Sequence, residues 1–301
     1  MAAVTTTINY LYPFEDTKVN FSVRQAGFKR QEWNTQPATV HDTRGHEQDF
    51  TLDTHGFQFI KDPTPFPAST FESEELVHTT YADHLTDQLK RSTGCSKVYL
   101  LATKVRDVTW KDTLAAEAAY ADTEIPTKQS GHIQYPHVDY SYEGAPMFIQ
   151  RLASQPPPPD FHLTKTLPDD ETMKIIQKHR WAMINYWQPI RNPVTRDALA
   201  VCDARSVPEE DLFEDLPETI REVKKFGTWY VKAPTNGEHK WYYHSDMRLD
   251  EALLIKCFDS KLDGRARRAP HTAFTGSKDH GPVRSSVEVR TLVCWEDEDV
   301  E

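Results

Sequence analysis

The 301-residue chain has four cysteines, Cys95, Cys202, Cys257 and Cys294, far apart and with no CxxC among them. That spacing argues against a disulfide framework, and it fits reduced thiols in a cytoplasmic protein. Apolar runs approaching the roughly 18 residues of a membrane span are missing, so no membrane partner is expected. The opening MAAVTTTINYLYPF has no basic segment followed by an apolar one, so no secretory leader is expected. Basic charge is also in deficit: 35 Lys and Arg stand against 46 Asp and Glu, a net charge of −11. Nucleic acid is therefore a poor partner, because phosphate binding needs a basic face. No internal repeat is visible, and SQPPPPDF (154–161) is the one low-complexity stretch, read as a surface polyproline loop. What the chain does have is aromatic mass, with 14 Phe, 12 Tyr and 7 Trp, and 20 Pro to punctuate many turns.

Residues 1–94 read as short strands (TTTINYLYPF, GFQFIKD) followed by a helix over 73–94, acidic at its start and stopped by Gly94. A strand KVYLLATKVRDV, a short helix WKDTLAAEAAYA and a helix over 167–179 follow. Seven β-like segments then crowd together: WAMINYWQPI, ALAVCDARSV, GTWYVKAP, HKWYYHSDM, ALLIKCFDS, APHTAF and VRSSVEVRTLVCW. This pattern predicts a mainly β fold with flanking helices and a jelly-roll or barrel core. The expected layout is one domain: 1–94 as buttress, 95–295 as core and 296–301 as a solvated acidic tail.

The chemistry concentrates in HIQYPHVDYS (132–141). On a strand, positions i and i+2 face the same side, so His137 and Asp139 point at one place. Two histidines and one carboxylate can hold iron on one face and leave the remaining positions open. An HxD pair is equally at home as a cross-strand polar pair, so a third ligand is needed. His244, His271 and His280 are the candidates. His271 stands at the start of a plausible strand; His244 reads as a packed strand histidine and His280 as a loop residue. A hairpin after His271 would put Arg284 on the neighbouring strand. Arg284, Ser286, Glu288 and Arg290 would share one face of that strand, with Val287 and Val289 on the other. A guanidinium there could pair with a carboxylate through two hydrogen bonds, and Ser286 could add a hydroxyl. Asn185 and Trp187 share a face in MINYWQPI, and Arg191 and Arg205 lie near strand ends, where a substrate contact competes with a surface ion pair. Lys256, flanked by apolar residues, reads as a lysine reaching out from a sheet edge.

PHVDYSYEGA, INYWQPIRNPVTRDALAVCDARSV, WYYHSDMRLDEALLIKCFDS, RARRAPHTAF and RSSVEVR, in that order over roughly residues 95–295, resemble a fungal hydroxylase/desaturase family. That family includes the gibberellin desaturase and proteins related to a cephamycin methoxylation subunit. The resemblance implies a double-stranded β-helix (jelly-roll, cupin-like) core and an Fe(II)- and 2-oxoglutarate-dependent dioxygenase using O2. It implies His137, Asp139 and His271 as metal ligands and Arg284 with Ser286 as the anchor for the far carboxylate of 2-oxoglutarate, with Arg290 as a rival anchor. Asn185 and Tyr135 are the expected co-substrate contacts, and Trp187, Arg191 and Arg205 the expected substrate contacts. The implied reaction is hydroxylation, desaturation or cyclisation of a small molecule in fungal secondary metabolism, by a monomer or homodimer. Two other readings stay open: an inactive jelly-roll partner subunit, and an iron oxidase that does not use 2-oxoglutarate.

Overall fold

The computed structural model describes residues 1–12, 21, 23–63, 66–127, 131–154, 169–214 and 227–300. The polyproline loop lies outside the described residues. Thirteen strands occur among those described: β1 (Ala3–Tyr10), β2 (Asn34–Asp42), β3 (Phe57–Lys61), β4 (Lys97–Arg106), β5 (His137–Val138), β6 (His179–Pro189), β7 (Leu199–Cys202), β8 (Leu212–Glu214), β9 (Trp229–Val231), β10 (Trp241–Tyr243), β11 (Glu251–Asp259), β12 (His271–Ala273) and β13 (Ser286–Asp299). They form an eight-stranded sheet, β1-β2-β10-β7-β12-β5-β9-β8, and a five-stranded sheet, β3-β11-β6-β13-β4. Pairing is antiparallel throughout except between β2 and β10.

The two sheets face each other. Val40, Val201 and Trp241 from the first pack against Phe57, Leu253 and Ile255 from the second. Strand alternation sorts the five-stranded sheet cleanly. Ile184, Tyr186, Leu254, Val287 and Val289 turn outward onto Leu85 and Leu89 of the helix Ala82–Thr93. That helix follows a π turn at Val77–Tyr81 and ends at Gly94, whose φ of +72° suits a residue without Cβ. Two further helices, Gly144–Ser154 and Asp170–Lys178, close one end of the sandwich by packing Phe148, Ile149 and Ile175 against Met183, Cys257 and Leu292.

Several features differ from the sequence reading. The segment after His271 does not return as a hairpin: β12 pairs with β5 and β7 in one sheet, and β13 runs in the other. The acidic end is not a free tail, because β13 continues to Asp299 and Glu298 pairs with Arg180. Lys256 does not reach out from a sheet edge. β11 lies between β3 and β6, and the fully buried Lys256 ammonium sits 2.8 Å from both Asp53 and Asp259. Strand β2 and the helix Gly144–Ser154 went unread. β2 carries Pro37, tolerated because at that point it pairs with β1 alone. The helix carries Pro146 in its first turn, where a missing N–H costs nothing, and Ser141 Oγ accepts from Gly144 N at 2.9 Å.

The contrast between buried and exposed ion pairs is testable. Lys256→Ala leaves the buried Asp259 with Arg180 as its remaining ion-pair partner and should cost about 3 kcal/mol in urea unfolding. Arg191→Ala, which removes an exposed pair with Glu72, should cost less than about 0.5 kcal/mol. Equal losses would show that burial does not set the strength of these pairs.

Candidate metal centre

His137 on β5 and His271 on β12 are direct cross-strand partners, and their rings lie 4.5 Å apart between centroids. Asp139 follows the end of β5, with Oδ1 3.8 Å from His137 Nε2. Among the described residues these three are the one cluster whose donor atoms all lie within 4.8 Å of one another. All three side chains are buried.

The backbone aims both imidazoles. His137 Nδ1 is 3.0 Å from the carbonyl of Tyr135, and His271 Nδ1 is 3.3 Å from that of Ala269. Each Nδ1–H donating to a carbonyl leaves Nε2 as the lone pair facing the cluster, the arrangement metal-binding histidines use. His271 Nε2 is buried with no hydrogen-bond partner among the described residues. A buried imidazole nitrogen left in that state fits a metal ligand. Burial, then the neighbouring His271, pushes His137 down to about 4, so it is neutral at pH 7. Burial alone would raise Asp139, but Arg290 and the two imidazoles hold its carboxyl well below the usual carboxylate range. Two imidazole nitrogens and one carboxylate form an N/N/O donor set suited to a divalent ion such as Fe(II). These residues fit the metal that the sequence resemblance implies.

The five-stranded sheet supplies the opposite wall. Asn185 and Arg290 are cross-strand partners on β6 and β13, and both reach Asp139. Asn185 Nδ2 donates to Oδ2 at 2.5 Å, and Arg290 Nη2 donates to Oδ1 at 2.7 Å. Asn185 therefore holds the carboxylate. Arg290 is committed to Asp139 and to Glu288, where Nε to Oε1 is 3.2 Å, which weakens the case for it as a carboxylate anchor.

Arg284 is in a different condition. It is fully buried, donates from Nη1 to Asp197 O at 2.6 Å, and has no partner for Nε among the described residues. Its guanidinium carbon lies 5.4 Å from the Trp187 ring centre. Burial, then the Arg106 charge, pushes it down to about 9, so it is still a cation at pH 7. A narrow cleft brings His137 and His271 together with Arg284, Trp187, Leu199 and Glu288. Ser286 Oγ is buried without a partner among the described residues, but it is absent from the lining of this cleft.

Beside the cleft lies a larger cavity, open to solvent and walled in part by Val23, Trp110 and Tyr135. Arg106, Ile133 and Glu288 line both spaces. Tyr135 is thus a wall residue of the larger cavity rather than of the cleft that holds Arg284. Arg191 and Arg205 belong to neither. The first is exposed beside Glu72, and the second forks onto Asp203 at the surface. The sequence reading missed Arg106, Trp110 and Ile133. The pairing of Arg106 with Ser286 across β4 and β13 is visible only in the fold.

His132, wholly buried with Nε2 3.1 Å from Arg284 O, is pushed down to about 2 by burial and then by the Arg284 charge. His132 and His137 are neutral in the folded chain where an unfolded imidazole, titrating near 6.5, takes up protons. The unfolded state binds more protons below about pH 6.5, so stability falls as pH drops through that window. His132→Gln should flatten this slope in urea midpoints measured with chelator between about pH 4.5 and 7. An unchanged slope would mean that His132 is protonated in the folded protein.

Comparison with known proteins places the chain. Residues 8–294 match the family described as "Oxidoreductase/YMDC permease-like domain". Among the described residues no helix is long and apolar enough to cross a membrane. The hydroxylase/desaturase efuI of Hormonema carpetanum is 38% identical over 99% of this chain and 97% of its own length. The alpha-ketoglutarate-dependent dioxygenase phiK of a fungal species is 30% identical over 89% of this chain and 87% of its own. A solved structure of the iron and alpha-ketoglutarate-dependent endoperoxidase NvfI, from Aspergillus novofumigatus, superposes with a TM-score of 0.73. It is 20% identical and covers 97% of this chain and 98% of that one, which shows the shared jelly-roll fold. With a family match spanning residues 8–294 and 38% identity to efuI along nearly its whole length, the chain belongs to the fungal hydroxylase/desaturase family.

Proposed function

We propose that this protein is a non-haem Fe(II)/2-oxoglutarate-dependent oxygenase, acting as one domain in the cytoplasm on a small organic molecule of fungal secondary metabolism. The observation that carries this reading is the shared cleft. On one side stand the two imidazoles, whose donor atoms cluster with the adjacent Asp139 carboxylate; on the other stands a buried guanidinium short of partners. The names of relatives support it: phiK is called an alpha-ketoglutarate-dependent dioxygenase and efuI a hydroxylase/desaturase. Four buried, unpaired cysteines suit a reducing compartment.

His137, Asp139 and His271 would hold the metal. Bound there, ferrous iron supplies oxygen activation: substrate C–H, O2 and 2-oxoglutarate become substrate C–OH, succinate and CO2. Arg284 receives the far carboxylate of 2-oxoglutarate. That group meets a cation already stripped of water, so the charge-assisted pair forms where it is strongest. Trp187 and Leu199 keep water from the same space. The larger cavity takes the substrate, stacking a flat or apolar body against Trp110 and Tyr135. Arg106, Ile133 and Glu288 form the boundary across which a C–H bond is presented. Which of hydroxylation, desaturation or ring closure follows is set by the substrate's placement against that boundary. The incompletely partnered Arg284 speaks against the oxidase that dispenses with 2-oxoglutarate, because a buried cation is costly without an anion to receive.

Anaerobic addition of Fe(II) and 2-oxoglutarate to metal-free protein should produce the weak visible charge-transfer band of the chelate. His271→Ala should abolish the band. Arg284→Ala should keep iron but need roughly tenfold or more 2-oxoglutarate, the loss expected when a charge-assisted pair worth about 1.5–3 kcal/mol is removed. Failure of the wild-type protein to bind iron would overturn the assignment. Iron binding with no band at any 2-oxoglutarate concentration would overturn the co-substrate.

A further inference from the structure

We propose that Arg290 is a positioning residue for the metal: with Asn185 it clamps the Asp139 carboxylate in place, and Glu288 holds Arg290 in turn. This rests on the functional reading above and deepens it, giving Arg290 a role other than co-substrate anchor.

Asp139 needs outside support. It follows β5, a strand of two residues, so little regular backbone fixes its direction. The support comes from the facing sheet, where Asn185 and Arg290 are direct register partners on the long strands β6 and β13. One donor meets each oxygen: Asn185 Nδ2 at Oδ2, 2.5 Å, and Arg290 Nη2 at Oδ1, 2.7 Å. The Cys257 thiol packs 3.9 Å from Oδ2. Donors on both oxygens, anchored on adjacent strands, fix both the tilt and the rotation of the carboxylate. Oδ1 is also the oxygen 3.8 Å from His137 Nε2, so it faces the donor cluster. A carboxylate oxygen has two lone-pair sites; Arg290 occupies one and leaves the other for a metal.

Glu288 completes the chain. It lies two residues before Arg290 on the same inward face of β13, and its Oε1 is 3.2 Å from Arg290 Nε. The guanidinium is therefore held from both sides. It also lines the larger cavity, and so stands between that space and the Asp139 carboxylate. Arg284, with its unpartnered Nε, remains the guanidinium suited to a dicarboxylate.

The test uses Co(II) as a spectroscopic probe on full-length, metal-free protein, without 2-oxoglutarate, so that no turnover is involved. Arg290→Ala should weaken Co(II) binding 10- to 100-fold in chelator competition, the range for loss of a partner to a ligand. Arg290→Lys, which keeps one charged donor, should recover part of that loss. Glu288→Ala should weaken binding by a smaller factor in the same direction, and Asn185→Ala likewise. At saturating metal, Arg290→Ala should bind 2-oxoglutarate within about twofold of wild type, whereas Arg284→Ala should show the reverse pattern. Two results would overturn the clamp: wild-type Co(II) affinity in Arg290→Ala, or selective loss of 2-oxoglutarate at saturating metal. If Arg290→Ala does not fold, Arg290→Lys and Asn185→Ala decide the matter, and wild-type affinity in both overturns the clamp. A wild-type protein that binds no Co(II) would instead overturn the functional reading on which the clamp depends.

Discussion

A buried carboxylate beside two imidazoles is unstable company unless something answers its charge, and the arrangement around Asp139 follows from that requirement. Taking an ion out of water costs several kcal/mol even after relaxation. The compensation arrives from the facing sheet as one guanidinium and one amide. Arg290 is also paired with Glu288, which in turn lies 3.9 Å from Arg106. The four polar groups thus form one connected network around Asp139.

The two sheets divide the work. The eight-stranded sheet carries the imidazoles on strands of two and three residues, paired directly with each other. The five-stranded sheet carries Asn185, Glu288 and Arg290 on strands of eleven and fourteen residues. Short strands present ligands at their ends; long, doubly paired strands give the rigidity to hold them. The outward face of those long strands is packed on the helix Ala82–Thr93, so the polar face is backed by dry core.

The fold class and the donor cluster were legible because both rest on local patterns. Dense β-like segments announce a double sheet, and an HxD with a distant histidine can be seen without coordinates. Arg284 stands out in the sequence through its neighbours in RSSVEVR, and the fold sets it in one cleft with His137 and His271. The bond between Arg290 and Asp139 was not, since it depends on β13 lying opposite β5 across the sandwich. Guanidinium groups are alike in sequence: Arg284, Arg191 and Arg205 differ only in what the folded chain packs around them. Lys256 misled for a related reason, because apolar flanks describe the edge and the middle of a sheet equally well and only strand order separates the two. The helix Gly144–Ser154 carried a readable signal in the spacing of Phe148, Ile149 and Leu152, hidden behind its opening Gly-Ala-Pro.

The larger cavity draws only part of its walls from β4 and β13. Val23, Trp110 and Tyr135 come from connections and a short helix, whereas the imidazoles and their supports sit on paired strands. Insertions and substitutions in those connections can reshape the space without disturbing the register of β5, β12, β6 or β13. One inherited reaction centre can thus be offered to many molecular shapes, and diversification within such a family needs to rewrite only the part of the lining that those connections supply.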